Sequence, residues 1–391
     1  MEVRRLREEE HFEADLISHV AFHMRMEDPE KTREESRKMT AEDWGAFSGD
    51  GRMMARIVNH RYDSWLDGKT VVNGGIGGVS TLPEYRNSGA IRRIFETLLP
   101  EARRRGEVIS TLYPFSHAFY RKFGYETVCW RNDYEFEPGV LGEYRFGGTA
   151  ELWKPDDPAA EYTALYNRFA RGFNLAMRRD DRMMLDRHLK GEYYKDRKFG
   201  YLLREEGTPV AYLIFQDIRH DPAAILSVED LAWDGRRGLN ALLGFLGRFT
   251  ADYGTIRLFL PSWLQLYSLI RSPRAYDIRQ TVGQNYMIRA VNVQRMLEVI
   301  RKPEGAGFVI RVEGDGQIPE NNGVWETEGD RAVPTDRAPD LTVSIQAFGQ
   351  MAAGCVSLGE ALYRPDVTVT GNGETLEKVF IRKPILVEEH F

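Results

Sequence analysis

The stretch that decides the reading is Gly74-Gly75-Ile76-Gly77-Gly78-Val79-Ser80-Thr81-Leu82-Pro83-Glu84-Tyr85-Arg86-Asn87-Ser88-Gly89-Ala90-Ile91-Arg92-Arg93. Its β-branched run predicts a strand that stops at Pro83. A polar turn follows, and Gly89 stands where a helix begins, running over 89–105. The first N–H groups of a helix have no partner inside it, and the helix dipole makes that end attractive to an anion such as pyrophosphate. Arg86, Arg92 and Arg93 add positive charge, and Gly89 lets the backbone come close to a phosphate. The same spacing also suits an ordinary strand–turn–helix with a glycine at its turn, so spacing alone leaves both readings open.

Outward from that stretch, the first 146 residues predict helices at 8–24 and 29–44 and strands at 46–47, 53–59, 71–72 and 79–81. A strand at 108–112, a short helix at 116–123 and a strand at 127–136 follow. Antiparallel strands followed by a strand–helix–strand unit read as an α/β fold with a mixed sheet. The turn Glu137-Pro138-Gly139 and the loop at 146–149 mark a boundary. Residues 147–288 repeat the order at similar size: a helix at 161–171, strands at 201–205 and 209–216 around the turn Glu206-Gly207, a strand at 225–233, a helix at 238–249 and a strand at 256–260. Residues 289–391 predict helices with a small antiparallel sheet, an α+β domain. Three domains therefore follow: 1–146, 147–288 and 289–391.

With 391 residues, 42% of them hydrophobic, the chain excludes a single small binding module and a disordered tail. No apolar run is long enough for a membrane span, and the charged start is no secretory signal, so the expected location is cytoplasmic. Cys129 and Cys355 are too few for a disulfide framework and read as free thiols. His60, His117 and His188 lack metal-spaced partners, so no metal is expected. The net charge of −6 resides in residues 303–391, which hold 7 basic and 15 acidic residues, so a basic nucleic-acid footprint is absent.

Arg86-Asn87-Ser88-Gly89-Ala90, followed by Ile91, resembles the acetyl-CoA loop of GNAT acetyltransferases. Together with Phe119-Tyr120-Arg121-Lys122-Phe123-Gly124-Tyr125-Glu126 and the three-domain pattern, it resembles the Eis (enhanced intracellular survival) family. Ile91 departs from the small residue many GNAT proteins carry there. The resemblance implies tandem GNAT folds, the second degenerate, and a C-terminal domain similar to sterol carrier proteins. In the second segment, Trp233-Asp234-Gly235 stands where the phosphate loop would be. In the third, Pro319-Glu320-Asn321-Asn322-Gly323-Val324-Trp325 and Ala338-Pro339-Asp340-Leu341-Thr342-Val343 resemble pieces of the sterol-carrier-like domain.

The resemblance implies an acetyl-CoA-dependent N-acetyltransferase acting on small cationic amines such as aminoglycosides or polyamines, assembled as a homo-hexamer. It assigns the pantetheine strand to Val79, Ser80 and Thr81 and the pyrophosphate loop to Arg86, Asn87, Ser88, Gly89, Ala90, Ile91 and Arg92. A second contact falls at Phe115 and Ser116, and Tyr120 is the general acid toward the leaving thiolate. The general base is the α-carboxylate of the last residue, Phe391, and His390, where an acidic residue is expected, could itself be a base. Taken alone, Tyr120 and Tyr125 equally suit packing aromatics. Glu27, Asp28 and Glu30 suit acceptor contacts or a charged helix start, and the 28–44 helix reads as a flank over the acceptor site. The competing readings are a non-catalytic CoA- or lipid-binding scaffold and a protein lysine acetyltransferase.

Overall fold

The computed structural model describes residues 1–36, 41–220, 223–271 and 277–389. The chain divides into two compact units: Met1–Val128 with Asn285–Lys383 and Glu389, and Cys129–Gln284 with Pro384–Glu388.

The first unit begins with β1 (Glu2–Arg5), α1 (His11–Ala21), α2 (Pro29–Ser36), β2 (Glu42–Phe47), β3 (Met53–Leu66) and β4 (Lys69–Thr81). It continues with α3 (Ala90–Arg104), β5 (Ile109–Leu112), α4 (His117–Arg121) and the start of β6 (Glu126–Phe136). β1 to β4 pair antiparallel in sequence order, β4 runs parallel to β5, and β5 pairs antiparallel with residues 287–290 of the strand Ile278–Ala290. The helix expected over 29–44 ends within this range as α2, and Glu42–Phe47 is strand. Trp44 and Ala46 are buried in the sheet core, and that burial overrides the charged pattern that reads as helix.

α3 turns Ala90, Ile94, Phe95, Leu98, Leu99 and Ala102 onto one face of the sheet, where they meet Ile57, Ile76, Leu112, Tyr120, Phe123 and Met287. Full burial of a Leu, Ile or Phe side chain contributes about 1.5–3 kcal/mol, so this helix is held by its packing and not by its charged outer face. α1 forms a smaller core through Ala14 and Ile17 against Phe47 and Met53.

The second unit repeats the pairing order. Strands Thr149–Leu152, Lys198–Glu205, Thr208–His220 and Ala223–Trp233 pair antiparallel in turn. The last of these runs parallel to Thr255–Pro261, which pairs antiparallel with residues 131–136 of β6. Each unit's sixth strand thus comes from the other segment of sequence. Residues 129–146, expected in the first domain, lie in the second unit, and residues 285–288, expected in the second domain, lie in the first. The expected hairpin turn is present, with Glu206 at φ 51° and Gly207 at φ 78°. The buried Arg179 guanidinium bonds Asp230 at 2.7 Å and the Tyr212 hydroxyl at 3.0 Å, satisfying charges that could not otherwise be buried. Residues 384–388 dock beside Asn174 through two backbone hydrogen bonds.

In the first unit, residues 307–369 build a separate five-stranded sheet. Its order is Arg331–Pro334, Gly323–Glu328, Gly307–Glu313, Leu341–Ser344, Val367–Val369, with Gly307–Glu313 parallel to Leu341–Ser344 and the other pairs antiparallel. Helices Ile345–Ala352 and Gly373–Val379 accompany it, the α+β domain expected at the C-terminal end. Among the described residues, no helix is long and apolar enough to cross a membrane.

Candidate active site

The site grows from a defect in β4. Opposite Arg56 and Val58 of β3, the register jumps from Ser80 to Gly77, so β4 carries a bulge at Gly78 and Val79. Gly78 takes φ 57°, and a Cβ there would come within 2.9 Å of the Val58 side chain. The sequence reading did not single out Gly78. A glycine inside a β-branched run is itself the signal for a bulge.

β4 pairs with β5 only over residues 73–76, while β4 runs on to Thr81 and β5 stops at Leu112. Among the described residues, nothing pairs with the β5-side edge of residues 77–81. The two parallel strands therefore part at their C-terminal ends, leaving backbone N–H and C=O groups of Val79 to Thr81 on one side of a wedge. Val79 packs toward the α3 core, whereas the buried Ser80 hydroxyl donates to the Gly78 carbonyl at 3.1 Å and lies 3.2 Å from Ser18 of α1.

The loop at the wide end follows from two left-handed residues. Asn87 (φ 64°) and Gly89 (φ 83°) flank Ser88, an alternation that gathers successive N–H groups into a concavity suited to an anion. Hydrogen bonds from Tyr85 N–H to Leu82, Arg86 N–H to Pro83 and Ser88 N–H to Tyr85 hold the loop. Gly89 is the N-cap of α3, so the N–H groups of Ala90, Ile91 and Arg92 lack intrahelical partners. A Cβ on Gly89 would meet open space, so glycine is favoured there by the backbone angle and not by crowding. The Ile91 side chain turns into the α3 core, so its departure from a small residue leaves the concavity clear. Arg86 and Arg92 are exposed, and neither is paired with a carboxylate among the described residues. Arg93 is tied to Glu96 at 3.1 Å.

β5 leads through Tyr113-Pro114-Phe115 into α4. Ser116 is its N-cap and accepts from Phe119 N–H at 3.3 Å, so that hydroxyl already has a structural task, while Phe115 is exposed. Tyr120 is buried with its ring among those of Phe95, Phe115, Phe119 and Tyr125, at centroid distances of 5.2–6.4 Å. Burial, and then the neighbouring Tyr125, raise its pKa, so the phenol stays protonated and can only donate at neutral pH. Among the described residues, nothing hydrogen-bonds the Tyr120 hydroxyl. Tyr125, also raised by burial, is instead bonded to Ser110 at 2.7 Å. Phe391 and His390 lie outside the described residues.

Behind the bulge, a buried ionic cluster ties α1, β2 and β3 together. Arg56 bonds both oxygens of Asp43, reaches Asp15 at 2.5 Å and Ser18 at 3.3 Å, and Asp15 also accepts from Ser36 at the end of α2. His11 Nδ1 lies 3.5 Å from Asp43, whose carboxylate raises the histidine pKa against the opposing effects of burial and Arg56. A raised histidine pKa stabilises the fold below its unfolded value of about 6.5, and that contribution is lost as pH rises through the folded value. Melting temperature is therefore expected to fall between slightly acidic and slightly alkaline pH, and His11→Gln to flatten that dependence. An identical pH profile in the variant would count against the assignment.

Several other expectations are located. Asp28 caps α2 by accepting from the N–H groups of Glu30 and Lys31, and Glu27 and Glu30 are exposed. Trp44, Trp153, Trp233 and Trp325 are buried, and Trp263 is half exposed. Cys355 is buried with its Sγ 3.8 Å from the Thr127 carbonyl, and the Cys129 side chain lies outside what the structure describes. His60 stacks on Tyr62, and among the described residues no group of acidic, histidine or cysteine side chains could hold a metal. In the second unit, Asp234 is the N-cap of helix Gly235–Leu246 directly after the strand, so a carboxylate occupies the position that Gly89 holds in the first unit.

Comparison with known proteins matches two domain families and the fold. Residues 2–128 match the acetyltransferase (GNAT) domain family and residues 293–386 the sterol carrier protein domain family. An uncharacterized N-acetyltransferase of Streptomyces griseus is 22% identical over 367 residues, 86% of each chain. A probable N-acyltransferase from Enterococcus faecalis superposes with a TM-score of 0.87 at 21% identity, covering 100% of this chain and 99% of the other. Eis1 from Mycobacterium abscessus superposes with a TM-score of 0.83 at 19% identity over 100% of both chains. The chain thus carries an acetyltransferase (GNAT) domain at residues 2–128 and a C-terminal sterol carrier protein domain at residues 293–386, in an Eis-like arrangement of the fold.

Proposed function

We propose that the protein transfers the acetyl group of acetyl-CoA to a primary amine of a small cationic acceptor, of the aminoglycoside or polyamine kind. The observation that carries this reading is the wedge between β4 and β5, with an anion-binding loop at its wide end and the protonated Tyr120 beside the end of β5. The loop N–H groups, Arg86 and Arg92 hold the pyrophosphate, and the free edge of Val79 to Thr81 pairs with the amides of the pantetheine arm. The amine nitrogen attacks the thioester carbonyl and the C–S bond breaks. A base takes one proton from the acceptor ammonium before attack, the Tyr120 phenol gives its proton to the departing thiolate, and the second proton lost by the nitrogen restores the phenol. That base is the α-carboxylate of Phe391, as the Eis resemblance implies, and the assembly is the homo-hexamer it implies. Glu27, Asp28 and Glu30, exposed at the start of α2, favour a cationic acceptor over a neutral one.

The test is release of free CoA thiol from acetyl-CoA with a kanamycin-type aminoglycoside, spermidine and a lysine peptide. Turnover with the first two and little with the peptide is expected, and turnover with the peptide alone would make the protein a lysine acetyltransferase. Amidating Phe391, or extending the chain beyond it, is expected to abolish transfer while acetyl-CoA still binds. Unchanged turnover in the extended protein removes the carboxylate from the mechanism.

A further inference from the structure

The turn after Tyr120 is gripped by a side chain from 166 positions further along the sequence. Arg289, fully buried on strand Ile278–Ala290, donates from Nη1 to the Phe123 carbonyl. A Cβ on Gly124 would collide with that same nitrogen, and Gly124 also takes φ 83°. Phe123 N–H in turn bonds the Tyr120 carbonyl at 2.9 Å, and Tyr125 N–H reaches the same oxygen at 3.4 Å. One guanidinium thus fixes the peptide that closes the Tyr120 turn.

Arg289 is itself held. Its Nη2 bonds both carboxylate oxygens of the buried Asp315 at 2.7 Å. Asp315 also accepts from the N–H groups of Gln317 and Ile318 and from Asn321 Nδ2 at 2.9 Å. Asn321, fully buried, accepts from Val293 N–H at 3.1 Å and from Arg103 at 2.8 Å, near the end of α3. The Pro319-Glu320-Asn321-Asn322-Gly323 run therefore connects the far end of the loop-bearing helix to the turn that carries Tyr120. A buried ion pair with this many hydrogen bonds contributes little net stability compared with apolar packing, and its best-attested use is fixing a single geometry.

We propose that Arg289 is a positioning residue, aiming the Tyr120 phenol through the Phe123 carbonyl, and that Asp315 and Asn321 fix Arg289 for that task. The proposal rests on Tyr120 being the general acid. Asp315→Asn, which weakens the grip on Arg289, is expected to lower kcat by about 10- to 100-fold, the cost of a reacting group displaced by roughly 1 Å. The KM for acetyl-CoA and its calorimetric Kd are expected to stay within about twofold, since the loop at Gly89 is not touched.

The decisive measurement is the same substitution in a Tyr120→Phe background, where the further loss is expected to be under about twofold because the two changes remove one contribution. A loss that persists undiminished in that background overturns the proposal, as does an equal rise in KM with the fall in kcat. If Asp315→Asn does not fold, Asn321→Ser is expected to give the same pattern at about 3- to 10-fold, with the same overturning outcomes. If Tyr120→Phe alone leaves kcat unchanged, it is the general-acid reading that fails, a result separable from the others.

Discussion

Tyr120→Phe is expected to lower kcat by about 100-fold or more, with the KM for acetyl-CoA nearly unchanged, because a general acid contributes roughly 10²–10⁴-fold. Phe keeps the ring and its contacts with Phe95, Phe115, Phe119 and Tyr125, so the core around α4 survives and only the proton is lost. Burial raises the phenol pKa, so ionisation of this group should put no limb on the kcat–pH profile near neutrality. Steady-state kinetics from slightly acidic to slightly alkaline pH check both statements. A variant with wild-type kcat would exclude Tyr120 as the acid.

The second large effect is expected at Gly89. Its φ of 83° is left-handed, a conformation that costs a side-chain-bearing residue about 1–2 kcal/mol and a β-branched one more. Gly89→Val is therefore expected to weaken acetyl-CoA binding by roughly tenfold or more, since each 1.4 kcal/mol is a factor of ten, while kcat at saturation changes little. No atom lies within 4 Å of a Cβ placed at Gly89, so the effect is conformational and not steric. Gly89→Asn is accordingly expected to bind nearly as well as wild type, since Asn tolerates this region, as Asn87 does at φ 64°. Calorimetry on the two variants separates the explanations: equal losses in both would mean that bulk matters and not backbone angle.

What could be read in the sequence was local. The strand, loop and helix of residues 79–104 follow one another without interruption, so turn chemistry and periodicity reveal them. Only the resemblance singles out Tyr120 in the sequence, because a buried tyrosine that donates and one that packs look alike there. The sequence pattern alone continues as helix to residue 44, whereas Glu42–Phe47 is strand, because that pattern does not register the burial of Trp44 and Ala46 in a strand. Arg289, Asp315 and Asn321 were illegible for a related reason: charged and amide residues read as surface until the partners that allow their burial are known. The exchanged strands were hidden because an alternating pattern says that a segment is a strand and not which strand it joins.

That exchange sets the order in which the protein can mature. The first 128 residues leave the ribosome with β5 unpaired on one side, and the strand that covers it follows only after residues 129–284 have been made. At a synthesis rate of about 5–20 residues per second, those residues take roughly 8–30 s. During that interval the growing chain exposes a sheet edge of the kind that invites pairing with a neighbouring nascent chain. β5 is only four residues long, which keeps that edge a poor template until its own partner arrives.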